Sequence, residues 1–180
     1  MTFIELATLR QSTRKYSPVP VEREKLLRCL EAARIAPSAC NSQPWKFIVV
    51  DDPELRMKVA RETYNAMVPI NKFTHQAPVL VVLVVEKPKT ISQIGGRIKN
   101  KDYCLYDIGI AAEHFCLQAA EEGLGTCMLG WFNERPLQKL LGIPKMRLIG
   151  LVITVGYPAD EPRTKIRKTL DSIVAYNKYE

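Results

Sequence analysis

Residues 77–85 read Ala-Pro-Val-Leu-Val-Val-Leu-Val-Val (APVLVVLVV). From Val79 to Val85 there is no polar side chain, and five of the seven residues are the β-branched valine. The run is too short to cross a bilayer, which needs about 20 apolar residues in a helix. A strand that is apolar on both faces belongs in the middle of a sheet covered on both sides. Pro78, which cannot donate to a ladder, marks its start.

The flanking sequence supplies the cover. Leu105 to Glu121 is the clearest helix. Ile108, Ala111, Ala112, Phe115, Cys116, Ala119 and Ala120 advance in steps of three and one, the signature of a buried helical stripe, and Gly123 offers a left-handed end. Glu22 to Ala36 is a second helix, closed by Pro37. Thr2 is placed to cap a short helix ending at Leu9. Asp52 and Pro53 open another, expected to run to about Met67. Further strands are expected at Trp45 to Val50, Thr126 to Leu129 and Leu148 to Val155, with a short helix at Pro136 to Leu141. Leu170 to Tyr179 forms a last helix or an arm. The stretch from Glu86 to Asp102 is polar, contains Gly95–Gly96, and reads as a long loop or a short helix between loops. This alternation describes an α/β or α+β sandwich in one domain over residues 1–180.

The 180-residue chain is 47% hydrophobic and 25% charged, the balance of a folded soluble protein. It carries a formal charge of +7 and an isoelectric point near 9.2, which favours anionic partners. Lys87, Lys89, Arg97, Lys99 and Lys101 are its densest cationic patch, read as a solvated loop ahead of a binding surface. The five cysteines form no CxxC pair and no signal peptide opens the chain, so a cytoplasmic protein with reduced thiols is expected. Nothing suggests a membrane anchor. Neither GxGxxG, Walker A, HExxH nor GxSxG is present, and there are only two histidines, His75 and His114. No metal site and no side-chain nucleophile is expected. Any chemistry falls to a bound cofactor.

Three polar segments stand out. Arg10-Gln11-Ser12-Thr13-Arg14 offers two guanidinium forks and hydroxyls, suited to a phosphate and its attached polyol. The alternative is a helix end whose arginines complement the macrodipole. Ala36-Pro37-Ser38-Ala39-Cys40-Asn41-Ser42-Gln43-Pro44-Trp45 joins a helix to a strand through two prolines and a row of small polar residues. Its backbone can approach a planar ring while Asn41 and Gln43 bond to polar edges, or it is a rigid loop in which those amides cap the backbone. Lys165-Ile166-Arg167 puts two cations on one side of an extended chain, or belongs to a solvated tail.

Together RQSTRKYS (10–17), APSACNSQPWKFIVV (36–50), DIGIAAEHFCLQAAEEGLGTCMLGWF (107–132), VGYPAD (155–160) and KIR (165–167) resemble the nitroreductase family of FMN enzymes, in family order over nearly the whole chain. The resemblance implies an α+β fold with a central, mostly antiparallel sheet flanked by helices, in an intertwined homodimer with FMN at the interface. It implies that Arg10, Ser12, Arg14, Lys165 and Arg167 bind FMN from one subunit. Pro37, Ser38, Ala39 and Asn41, with Gln43 as a further contact, approach the flavin from the partner. Leu129, Gly130 and Trp131 lie against the ring. The family's ribityl-contacting asparagine corresponds to Asn65 or Asn71. Trp131 and Phe132 are bulkier than in many members, and either narrow the acceptor site or pack.

The implied reaction passes hydride from NAD(P)H through flavin N5 to nitroaromatic, quinone or similar flat small-molecule acceptors, by a ping-pong route. Enone reduction or cofactor fragmentation would use the same cofactor residues. A non-enzymatic nucleic-acid binder is supported only by the +7 charge and lacks any recognised nucleic-acid motif, so no nucleic-acid partner is expected.

Overall fold

The computed structural model describes residues 1–66, 69–87 and 101–179. Helices α1 (Phe3–Leu9) and α2 (Arg23–Arg34) precede a 3-10 turn at Ala39–Asn41. Strand β1 (Trp45–Val50), helix α3 (Pro53–Arg61), a 3-10 segment at Pro69–Gln76 and β2 (Val79–Val85) follow. Then come α4 (Tyr103–Glu121), β3 (Gly125–Leu129), α5 (Glu134–Leu140) and β4 (Ile149–Gly156).

Among the described residues the four strands are ordered β1-β2-β4-β3, and neighbouring strands run antiparallel. This is the expected α+β architecture, with β2 at the interior. Val81 faces Val49 on one side and Ile153 on the other. Its two apolar faces serve two cores. Leu80, Val82 and Val84 pack with Val59 of α3 and Leu137 of α5; Val79, Val81 and Leu83 pack with Cys29 of α2 and with Ile108 and Phe115 of α4. Each such fully buried side chain contributes roughly 1.5–3 kcal/mol from removal of apolar surface from water.

The helix ends follow local chemistry. Thr2 forms a capping box with Glu5, and Asp52 accepts from the Leu55 N–H with Pro53 in the first turn. Gly123 has φ 76° just beyond α4, a left-handed position that a side chain would strain. Helix α3 stops at Arg61, short of the expected Met67. The amides of Glu62 and Thr63 turn back onto the Val59 and Ala60 carbonyls. Thr63 is buried against Thr74 through a 2.8 Å hydroxyl contact, which draws the chain inward. Met67 lies outside the described residues, as do Lys89, Arg97, Lys99 and the Gly95–Gly96 pair; Lys87 and Lys101 are exposed. The C-terminal segment makes only a 3-10 turn at Leu170–Ser172 and is exposed along its described length, the arm of the two expectations. Among the described residues no helix is long and apolar enough to cross a membrane.

Candidate functional site

Both ends of the chain meet on the outer edge of the sheet. After α1 the backbone straightens and docks beside β3: Ser12 bridges Thr126, and the Thr13 N–H donates to the Thr126 carbonyl at 2.8 Å. The approach is close because Gly125 has no Cβ; one built there would overlap the Thr13 side chain. Tyr16, 6% exposed, bolts the segment from behind. Its hydroxyl donates to the Thr13 carbonyl at 2.9 Å and meets Thr154 Oγ1 of β4 at 2.6 Å.

The chain leaving β4 lies over the same segment. The Ala159 N–H donates to the Lys15 carbonyl and the Arg163 N–H to Gln11 Oε1. The Arg163 guanidinium donates to the Ser12 carbonyl and Lys165 Nζ to the Arg10 carbonyl. These contacts enclose a cleft of about 380 Å³ lined by Arg10, Gln11, Ser12, Arg14, Arg163, Thr164, Lys165, Ile166 and Arg167. Residues at opposite ends of the sequence, Arg10, Ser12, Arg14, Lys165 and Arg167, therefore share one cavity.

Five of the lining residues are cationic and none is acidic. Among the described residues the ion pair made by this group is Arg10 Nε to Glu113 Oε1, at 3.2 Å. That contact is poorly directed, and Arg10 Nε is left buried without a hydrogen bond. Partial burial, then repulsion from Arg10 and Arg167, lowers the pKa of Lys165 below the usual lysine range. A crowd of cations with donors to spare suits an anion, and a phosphate monoester fits the donor set.

Arg163 and Gln11 are not among the site residues expected from sequence, although Gln11 lies in the 10–14 segment. Arg163 precedes Lys165 by two residues, so the alternation that pairs Lys165 with Arg167 includes it as well. Gln11 carries no such signal; its role depends on a contact with a residue 152 positions away.

The second expected segment lies apart from this cleft in the chain. Pro37 and Asn41 are exposed, Ser38 and Ala39 half-buried, and Gln43 exposed. Cys40, Asn41 and Gln43 have φ 54°, 50° and 49°, three non-glycine residues in the left-handed region. The loop is closed by Gln43 N–H to Ser38 Oγ at 2.9 Å and Gln43 Nε2 to Asn41 Oδ1 at 2.8 Å. Backbone strain held by a web of short bonds is characteristic of binding loops.

The third group follows β3. Leu129 is buried, Gly130 exposed, and Trp131 53% exposed. Asn71 is buried and donates from Nδ2 to the carbonyls of Thr63 at 3.0 Å and Trp131 at 3.2 Å. Its amide nitrogen is therefore committed to fixing the backbone beside Gly130. Phe132 packs against the core, while Trp131 stays about half exposed.

Thiol chemistry finds little support. Burial pushes the Cys29 and Cys116 thiols up to about 12 and raises Cys127, so these stay protonated and poorly nucleophilic at neutral pH. Cys40 is the exposed cysteine.

The nitroreductase family profile matches residues 7–72 and 58–157. Over 163 residues the chain is 32% identical to a putative NADH dehydrogenase/NAD(P)H nitroreductase of Archaeoglobus fulgidus, covering 88% of this chain and 86% of that protein. It is 27% identical to the iodotyrosine deiodinase of Thermotoga neapolitana, covering 97% of each. Its fold superposes on an FMN-dependent nitroreductase of Clostridium difficile R20291 with a TM-score of 0.78 at 28% identity, over 98% of this chain and all of the other. With the two chain ends joined in one cationic cleft and the strained loop on its expected segment, these likenesses show that the chain belongs to the nitroreductase family of oxidoreductases.

Proposed function

We propose that this chain is an NAD(P)H-dependent FMN oxidoreductase of flat acceptors such as nitroaromatics and quinones, working as a homodimer by a ping-pong route. The observation that carries the proposal is the convergence of Arg10, Ser12, Arg14, Lys165 and Arg167 on one cleft with no lining carboxylate. When bound, FMN supplies hydride transfer at its ring.

The chain's own residues do the rest. The Arg10, Arg14 and Arg167 guanidiniums and the Lys165 ammonium neutralise the phosphate, while Ser12 adds a hydroxyl and Arg163 holds the cleft closed through Ser12 and Gln11. Leu129, Gly130 and Trp131 present backbone to one side of the ring, with Asn71 fixing the Trp131 carbonyl. Pro37, Ser38, Ala39, Asn41 and Gln43 cover the ring from the second copy. That second copy has a surface to meet: Phe3 and Ile4 of α1 and Ile110 of α4 are 67%, 72% and 38% exposed. Phe3 and Ile110 line an apolar groove of about 540 Å³ together with Leu6 and Leu117.

Likeness to an iodotyrosine deiodinase favours a second reading, in which the same cofactor site serves another reduction. A steady-state panel separates the two. Purified protein with FMN is given NADH or NADPH and a series of nitroaromatics, quinones, enones and halogenated phenols, with products identified. Nitro or quinone reduction supports the first reading; turnover confined to dehalogenation or enone reduction replaces it with the second.

A further inference from the structure

Asp107 is a buried acid for which neither the cleft nor the core provides a use. It lies in the second turn of α4 and is 4% exposed. Oδ1 accepts from the Ala39 N–H at 3.0 Å, while Oδ2 is buried with no hydrogen-bond partner. Leaving half a carboxyl group unsatisfied away from water costs free energy, and burial raises its pKa above the usual carboxylate range. Among the described residues it forms no ion pair. The titratable groups near it at this end of the helix, Tyr103, Cys104, Tyr106 and the capping Asp102, include no cation. Core packing alone would be served better by an apolar side chain at this position.

What Asp107 touches is the strained turn. Cys40, Asn41 and Gln43 each sit in the left-handed region, where a side chain strains the backbone, so the turn persists only if its surroundings hold it. The bonds among Ser38, Asn41 and Gln43 stay within the loop. The Asp107–Ala39 bond ties the loop to a long helix embedded in the core. The same helix carries Glu113, roughly 9 Å farther along its axis, against Arg10 of the cationic cleft.

We propose that Asp107 is a positioning residue that tethers the 38–43 loop to α4 in the conformation that meets the flavin. The inference rests on the reading that this loop contacts FMN. Since this loop meets the partner's flavin while the cleft serves the chain's own, α4 links one part of each of the dimer's two sites. An anionic acceptor makes a stronger bond to the Ala39 N–H than a neutral one, which offsets the burial of its second oxygen.

The test compares wild type, Asp107→Ala and Asp107→Asn in two measurements. Hydrogen exchange of the peptide spanning 36–44 is followed without FMN, and FMN affinity is read from flavin fluorescence. Asp107→Ala is expected to speed exchange in that peptide and weaken FMN binding roughly tenfold, the loss typical of one charge-assisted hydrogen bond. Asp107→Asn keeps an acceptor oxygen and is expected to stay within about threefold of wild type. An alanine variant with lowered thermal stability but unchanged exchange and affinity would overturn the inference, as would an asparagine variant as impaired as alanine. Should Asp107→Ala fail to fold, the wild-type Ala39 amide decides. Protection supports the tether, and exchange as fast as in exposed loops refutes it. Wild type that takes up no FMN defeats the flavin reading, and loop exchange still judges the tether independently.

Discussion

Lys165 shares its cleft with four other cations, and the crowding has a measurable consequence. Its pKa is lowered in the free protein by partial burial and by Arg10 and Arg167. Folding therefore disfavours its charged form, a penalty present at low pH that fades as pH rises through the lowered pKa. A bound phosphate favours the charged form. FMN affinity should be highest below the free-protein pKa of Lys165, decline as pH rises through it, and level off above the higher pKa of the complex. Titrations of FMN across the alkaline range would show this; a flat profile would remove Lys165 from the site. At the same scale, Arg167→Ala should weaken FMN binding by roughly tenfold or more, from the ~1.5–3 kcal/mol of a charged hydrogen bond. An unchanged dissociation constant would show that the arm's arginine is not a ligand. Sequence made these residues visible as charges. Charge pattern alone does not show their meeting, which only the family resemblance implied, because it depends on contacts such as Lys165 to Arg10 that span 155 positions.

Among the elements, β2 and α4 declare themselves because their environments are uniform along their length. Seven apolar residues in a row leave β2 only an interior place, and the stripe on α4 matches the residues buried there. The Pro69–Gln76 segment had no such signature. Its place is fixed by buried polar contacts, Asn71 to Thr63 and Thr63 to Thr74, that no apolar period records. The 36–45 loop shows the same division: its two prolines and small residues announce a turn, but the left-handed backbone at Cys40, Asn41 and Gln43 does not follow from their side chains. Tyr16 links the N-terminal segment to the sheet, and its role follows from burial. Tyr16→Phe leaves the Thr13 carbonyl without its tyrosine donor, with a cost of about 1–3 kcal/mol in unfolding free energy. Denaturant melts should show a lowered midpoint at unchanged slope. A midpoint equal to wild type would mean that the hydroxyl is not what anchors Arg10–Arg14 against β4.

On the scale of the whole molecule, the apolar residues left outside the two cores are concentrated on α1, on the outer side of α4 and along the C-terminal arm, where Ile166 and Tyr176 are 90% and 85% exposed. A second copy that covers them would also bring its 37–43 loop to the first copy's cleft, so assembly and cofactor binding should be lost together. Ile110→Glu places a charge on that face, and sedimentation should then give a monomer with weakened FMN binding. A monomer that retains full FMN affinity would show that one chain builds the site alone. Whether the joined ends of the chain hold a flavin phosphate is decided by one titration. Purified protein stripped of small molecules is titrated with FMN and, in parallel, with riboflavin, which lacks the phosphate. One FMN should bind per chain, with riboflavin bound far more weakly. Equal affinity for the two flavins, or no binding of either, would contradict it.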